Sequence, residues 1–492
     1  MGIQVTVTSR ALMPPGSPSS EIRQIASPGL AAVFSLALLL CWPAIYNGFP
    51  LVFGDTGTYI GSGIERFIPR DRPVFYGALI AAASNFGGLA TVVLLQSISV
   101  AYVTLLFFYW IAPHAPRAAK GIALTGVALM TPVAWLTSWL MPDVFGGLMV
   151  PIVLLLVFAF DALGLGQRAW LAILLAVALL VHTGNLLFFA GLLVLVFAVG
   201  SLVRLRLQWR GVALAALIGT TSVLLSMLPN VKAHGRWTIN PGSQAFLAAR
   251  LVGDGLMKPY LEQHCPITPD LPLCGQSDQL AGMTNNNFLW NQPSLGDTTG
   301  AWDRNAAAYQ ALNAAVIREN AGSLARAAAA NTLALLARTQ LGADPLDHNL
   351  GSYASKDTSA AGHIARLLPG EYPRFLAARQ QAGQLHLGVL NTLHFWWTWA
   401  SYALLAMAAF AAKRTRNTKA LVVIGVIAAA LILNAAVHGS LSGVYTRYQV
   451  KVTWLATLAA FASLIAMWSG VNGSRRRHDP GAPRGPAANF NE

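Results

Sequence analysis

Two carboxylates stand where long apolar runs give way to polar residues. Asp55 follows the first such run, in "GFPLVFGDTGTYIGSGIERFIPRDRPVFYG" (48–77), with Tyr59 four residues on. Asp143 stands in "WLMPDVFGGLMV", between the third and fourth runs. A carboxylate desolvated at a membrane edge is costly, so each needs a reason to be there. Two acids at one depth can converge on one cavity. Asp143 precedes an apolar run and could instead cap its helix. Asp55 sits beside two glycines that turn the chain without needing a charge. A cationic cluster comes from the far end of the chain, "HGSLSGVYTRYQVKVTWL" (438–455). There Arg447 and Lys451 stand one helical turn apart, with Tyr445 and Tyr448 beside them. Two cations on one helix face can seat a phosphate, although such side chains also reach out to lipid headgroups. His182, in "ALLVHTGN", reads more readily as a packing residue than as a phosphate ligand.

The elements that must position these groups are apolar. Of the 492 residues 55% are hydrophobic and only 11% charged. Soluble proteins carry roughly 25% charged residues. Runs long enough to span, or nearly so, lie near 29–49, 89–112, 121–140, 144–163, 168–184, 186–203, 211–229, 388–412, 420–437 and 450–470. They predict an all-α polytopic membrane protein of about ten transmembrane helices, seven plus three, with a mainly helical extracytoplasmic insertion. With the N-terminus inside, the predicted cytoplasmic segments hold 16 of the 33 Lys and Arg against 4 acids, so they carry +12 of the net +14. Short outer loops hold few basic residues apart from Arg66, Arg70, Arg72 and the Arg447/Lys451 pair. The basic excess is therefore a topology signal rather than a sign of a nucleic-acid partner.

The predicted order is a cytoplasmic tail (1–28), an N-terminal transmembrane module (29–229) with a functional first outer loop (50–88), an extracytoplasmic domain (230–387), C-terminal transmembrane helices (388–470) and a basic disordered cytoplasmic tail (471–492). Residues 1–28 contain no short apolar core with a cleavage site, so the first span reads as an uncleaved anchor. Cys41 lies inside that span as a packing residue. Cys265 and Cys274, in "HCPITPDLPLC", read as a structural disulfide on the oxidising side of the membrane. Within the domain, "IRENAGSLARAAAANTLALLARTQLG" (317–342) reads as a helix packing on its own domain or lying on the membrane surface. "GMTNNNFLWNQP" (282–293) is turn-like, and its Asn residues and Trp290 suit sugar contact only weakly. "RPVFYGALIAAASNFGG" (72–88) is too short to span and reads as interfacial or re-entrant.

These motifs, in this order, resemble the GT-C fold glycosyltransferases, and most closely their arabinosyl, aminoarabinose and protein-mannosyl branches. An outward Asp after the first span with Tyr59 four residues on, then "RPVFYG" with Arg72 and Tyr76, is similar to that family's acid-led first loop and its "PP-x-Y-Y"-like segment. "MPDVFGGLMV" is similar to its second acid, "ALLVHTGN" to its "LLTKGP"-like turn, and "TRY" to its late "RY" motif. The resemblance covers 29–203 and 440–470 and says nothing specific of 230–387. The sequence departs from the family at three places: Thr56 rather than a second acid follows Asp55, His182 stands where a Lys is frequent, and Arg72 replaces the first proline.

The resemblance implies direct displacement at the anomeric carbon of a sugar carried on a polyprenyl phosphate, with a lipid or glycan acceptor, in a bacterial inner membrane with 230–387 periplasmic. Asp55 is then the general base, and Asp143 orients the acceptor or shares a divalent cation, Mg2+ or Mn2+, with Asp55. Arg447 and Lys451, with His182, hold the departing phosphate, while Tyr59, Arg72, Tyr76 and Tyr448 line the substrate site. The 72–88 segment lines a groove for the polyprenyl tail. No Walker-type GxxxxGK[ST] is present, in keeping with a donor that needs no nucleotide loop. Rival readings are a secondary transporter or lipid flippase, an acyltransferase using His182 or His438, and a non-enzymatic assembly protein. Against the first stand the absence of an internal repeat and acids placed at the edge rather than the centre.

Overall fold

The computed structural model describes residues 24–341 and 351–477, with side chains as far as 470. The two predicted tails fall largely outside them. Among the described residues the chain is helical, with one isolated bridge pair, Leu51 with Trp139.

Chain order begins with α1 (Leu30–Leu40), α2 (Trp42–Asn47), α3 (Thr56–Glu65), α4 (Phe75–Gly87) and α5 (Ala90–Ile111). It continues with α6 (Arg117–Met130), α7 (Val133–Ser138), α8 (Asp143–Ala159), α9 (Leu165–Leu180), α10 (Thr183–Val203) and α11 (Trp209–His234). The insertion holds α12 (Ser243–Gly253), α13 (Met257–His264), α14 (Asn285–Trp290), α15 (Leu295–Thr298), α16 (Ala306–Glu319), α17 (Ala321–Ala337), α18 (Ser359–Leu367) and α19 (Tyr372–Leu376). It is followed by α20 (Leu387–Arg414), α21 (Thr418–Leu441) and α22 (Thr446–Arg477). Seven of these, α5, α8, α10, α11, α20, α21 and α22, are long and apolar enough to cross a membrane. The protein is thus a multi-pass membrane protein.

The other three predicted spans are shorter or broken. Run 29–49 splits into α1 and α2 at Cys41, with a proline in the first turn of α2. Run 121–140 breaks at Thr131, which is extended (φ −119°, ψ 161°) because the following Pro132 disfavours the helical region. Run 168–184 becomes α9, which stops short of His182. Hydropathy does not see the first two breaks, since proline and its neighbour act through backbone geometry.

Central to the bundle is α8, buried at every residue from Asp143 to Phe160 and packed by α5, α9, α11 and α22. Gly147 is what lets α22 approach. A Cβ there would lie 2.7 Å from the Trp454 Nε1 and would also strike the Lys451 carbonyl. The predicted helix 317–342 is two helices, α16 and α17, meeting at Asn320, and α17 packs along α21 rather than staying within its domain. The insertion has its own core around Leu251, Phe288, Trp302 and Tyr309. Beside it the Cys265–Cys274 disulfide forms, with Cα atoms 5.6 Å apart. The 282–293 segment holds a short helix, α14, capped by Thr284, whose Oγ1 accepts the Asn287 N–H at 3.1 Å.

Candidate functional site

Asp55 is placed by the extended chain that follows α2. Gly48 closes α2 in the left-handed region (φ +82°), where glycine carries no Cβ penalty. Residues 51–56 are then stitched to the loop before α8. The Leu51 N–H donates to the Ser138 carbonyl and the Leu140 N–H to the Leu51 carbonyl, both at 2.9 Å. Thr56 Oγ1 donates to the Leu140 carbonyl at 3.1 Å. On the other side, buried Gln380 from the end of the insertion imitates a strand: its Oε1 accepts from the Val52 N–H (3.0 Å) and its Nε2 donates to the Val52 carbonyl (2.8 Å). This three-way seam holds Asp55 near the start of α8, where Asp143 stands.

Both oxygens of Asp55 are engaged. Oδ1 faces Arg72 Nη1 at 3.0 Å and Oδ2 faces Arg447 Nη1 at 3.2 Å. Its side chain is 26% exposed, against 11% for Arg72 and 14% for Arg447. Burial pushes the Asp55 carboxyl upward, but the two guanidiniums outweigh burial and hold it below the usual carboxylate range. Arg72 also binds Asp71 and lies over the Tyr59 ring at 5.2 Å. Tyr59 meets Tyr76 edge-on, ring centres 4.9 Å apart. Tyr76 is fully buried: its hydroxyl donates to Gln96 Oε1 (2.9 Å), and Gln96 in turn donates to the Thr137 and Trp139 carbonyls. Arg447 also lies over the rings of Phe53 (4.6 Å) and Tyr448 (4.9 Å).

One helical turn further along α22, Lys451 goes elsewhere. Its Nζ donates to His438 Nε2 at 2.7 Å, so the His438 proton sits on Nδ1. The lysine stem lies beside Gly146, where a Cβ would be 3.4 Å from its Cδ and Cε. His438 stacks on Tyr448 at 4.7 Å and meets the His182 ring at 6.2 Å. His182 caps α10, its Nδ1 accepting the Gly184 N–H at 3.2 Å, so its Nε2 carries the proton.

Asp143 does not cap its helix. Pro142 occupies the cap position, and Asp143, 3% exposed, is the first residue of α8. Neither of its carboxylate oxygens accepts a hydrogen bond from another residue. It lies within electrostatic reach of Arg447, Lys451 and Asp55. A neighbour, Asn185, has a buried Oδ1 with no partner, while its Nδ2 donates to the Ala178 carbonyl. A buried polar group without a partner calls for an explanation, a catalytic role, a water or an ion among them.

The residues singled out in the sequence therefore gather. Asp55, Tyr59, Arg72, Arg447 and Tyr448 form one connected group. Lys451 and His182 join it through His438, which stacks on Tyr448, Asp143 lies within electrostatic reach of Arg447 and Lys451, and Tyr76 stands behind Tyr59. Residues that sequence reasoning passed over, Asn185, Phe53 and Gln380, complete the site together with His438, which it weighed only as an acyltransferase base. A histidine at the end of an apolar run was a usable signal for His438. Nothing local marks Gln380.

A divalent cation between Asp55 and Asp143 does not suit this arrangement. Both Asp55 oxygens already face guanidiniums, and among the described residues no three His, Cys, Asp or Glu gather to hold a metal. The 72–88 segment, expected to line a groove for the lipid tail, forms α4. That helix buries Tyr76, Ile80 and Ala83 and packs on α3 and α5. A groove of about 320 Å³ lies between α20 and α21, lined by Leu405, Ala409, Ala428, Leu431 and, from α17, Leu336. One lining residue, Leu431, offers its carbonyl to Gln449 Nε2 (3.3 Å), two residues from Arg447 on α22.

No family model, curated protein or solved structure matches this chain.

Proposed function

We propose that the protein is a GT-C-type membrane glycosyltransferase, moving a sugar from a polyprenyl phosphate to an acceptor hydroxyl on the insertion side of the membrane. The chain makes ten crossings in this reading, with both termini cytoplasmic in a bacterial inner membrane and the insertion periplasmic. The observation that carries the reading is a buried carboxyl with no hydrogen-bond partner, Asp143, within electrostatic reach of the Arg447 and Lys451 cations, with the neutral His182 Nε2–H as a further donor near Lys451. Displacement needs that pairing: an acceptor for a proton on one side, and stabilisation of a departing phosphate on the other.

The acceptor oxygen attacks the anomeric carbon, and its proton passes to the Asp143 carboxylate. The bond between that carbon and the phosphate oxygen breaks, and the electron pair leaves on the lipid phosphate. Asp55, expected as the base, suits a different task. A carboxylate held at low pKa by two guanidiniums takes up a proton poorly, so Asp55 aligns Arg72 and Arg447 instead. The groove between α20 and α21 takes the polyprenyl tail. The direct test is purified protein with a radiolabelled polyprenyl-phosphate sugar. Label moving to a non-lipid or new lipid product supports transfer, and label remaining on the donor with every acceptor fraction removes it.

One observation favours a second reading, a transporter or lipid flippase. His394 in α20 is fully buried with neither ring nitrogen bonded, and a polar seam runs on through Thr398, Ser401 and Thr457, where Ser401 and Thr457 hydroxyls meet at 2.7 Å. Intramembrane ionisable residues often mark transport paths. Substrate accumulation in sealed vesicles carrying the protein, lost in His394→Leu, decides for it.

A further inference from the structure

A second patch of unusual chemistry lies on the insertion, away from the acids. Trp290, at the end of α14, is 44% exposed. Its ring meets Trp302 at 5.5 Å and Phe246 at 6.2 Å. Arg70 lies over the Trp302 ring at 5.0 Å and pairs with Asp297 and, at 3.6 Å, with Asp303. The side chains of Arg70, Asp297 and Asp303 are 43%, 41% and 66% exposed. The patch thus sets an open indole beside interleaved hydrogen-bond donors and acceptors.

Its position links it to both halves of the candidate site. Arg70 stands two residues before Arg72, the partner of Asp55, and its carbonyl accepts the Gly242 N–H at 2.9 Å. At the other end of α14, Asn285 accepts from the Tyr445 hydroxyl and donates to the Ser442 carbonyl, both at 2.8 Å. Tyr445 in turn meets Tyr448 edge-on at 5.7 Å. A ligand lying on Trp290 is therefore bounded by the first loop on one side and the start of α22 on the other.

We infer that this face seats a carbohydrate chain, the acceptor of the proposed transfer. Resting on that reading, the inference names the acceptor class. A sugar ring offers a face of C–H groups to an indole and a rim of hydroxyls that both donate and accept. The patch matches each: Trp290 for the face, Asp297 and Asp303 to accept, and Arg70 to donate. A lipid phosphate would call for a cationic patch, whereas here carboxylates are set among the arginines. Exposed Trp and Arg are also the residue types that dominate binding energy at recognition surfaces.

The experiment uses the full chain in nanodiscs and a panel of neutral linear hexasaccharides (α-1,4-glucan, β-1,3-glucan and α-1,6-mannan), with saturation-transfer NMR and intrinsic fluorescence as readouts. The expected result is saturable binding of at least one glycan, roughly ten-fold weaker in Trp290→Ala and restored in part by Trp290→Phe, with the melting temperature unmoved. Absence of binding across the panel, or binding indifferent to Trp290→Ala, overturns the inference. Hydrolysis of a labelled polyprenyl-phosphate sugar by the unaltered protein is measured alongside. Donor turnover without glycan binding defeats the carbohydrate seat and leaves the transferase reading. Glycan binding without donor turnover does the reverse.

Discussion

Asp55 and Asp143 are both acids at the insertion end of the bundle, yet they are held in opposite ways. Asp55 is partly exposed and has each oxygen on a guanidinium. Asp143 is buried and has neither oxygen on any neighbouring donor. The difference teaches that exposure and pairing go together here for structural reasons. The first loop is threaded between α7, α22 and the end of the insertion, so Asp55 meets whatever charges those elements bring. Asp143 is locked into the first turn of the most buried helix, flanked by Pro142 and the two glycines of its own helix. A fully paired acid organises its surroundings, whereas an unpaired one is kept for a partner that arrives later.

The sharpest way to break this contrast is Asp143→Asn. It should lower transfer by roughly 10²–10⁴-fold, the range general bases contribute. Donor binding and melting temperature should hold, because neither carboxyl oxygen has a hydrogen bond to lose and the shape is kept. Transfer at wild-type rate would end the role given to Asp143. Next comes Arg447→Ala, expected to weaken lipid-phosphate binding roughly ten- to hundred-fold, in line with loss of a charge-assisted contact. Acceptor binding should change little, and equal loss of both would point to misfolding.

Asp55→Asn should act more on stability than on rate. It leaves two guanidiniums without their shared carboxylate, at a cost of about 2 kcal/mol, below the range for fully buried pairs because Asp55 is partly exposed. A double cycle with Arg447→Ala should be non-additive, the second change costing little after the first. The pH dependence follows the same logic. The folded carboxyl lies below its unfolded value of roughly 4, so its contribution is complete above that value. It is lost as pH falls through the lowered folded value. Melting temperature should therefore drop more steeply below about pH 4 in the unaltered protein than in Asp55→Asn. Parallel curves would mean that the ion pairs add nothing to stability.

The smallest effect on the site should come from reducing Cys265–Cys274. In the chain-entropy account a loop of this length stabilises by about 2.5 kcal/mol, and the loss should stay within the insertion core. Donor binding measured with and without reductant should agree, and a large change would show that the insertion shapes the phosphate seat directly.

Much of the bundle was legible because hydropathy is a local property. A run such as 186–203 or 420–437 declares its helix by its own residues, and α10 and α21 follow. Breaks were less legible: Cys41 and Thr131 interrupt runs whose average hydropathy is unaffected. The helix at 317–342 was recognised by composition, but its division at Asn320 and its docking on α21 depend on what it packs against. At the site, residue types drew attention to acids and cations from distant stretches, and Asp55, Arg72 and Arg447 do meet. Their pairing did not follow from type. Arg447 and Lys451 share a helix face, yet one reaches Asp55 and the other His438.

By itself the amino-acid sequence determined a polytopic helical protein, the charged groups at one end of it and a cysteine pair in its insertion. These rest on apolar periodicity, loop charge and spacing, each read within a short window. Only the tertiary structure decided which acid is paired and which is left open. That outcome depends on residues hundreds of positions apart, Asp55 with Arg447 and Val52 with Gln380, meeting where no local preference directs them.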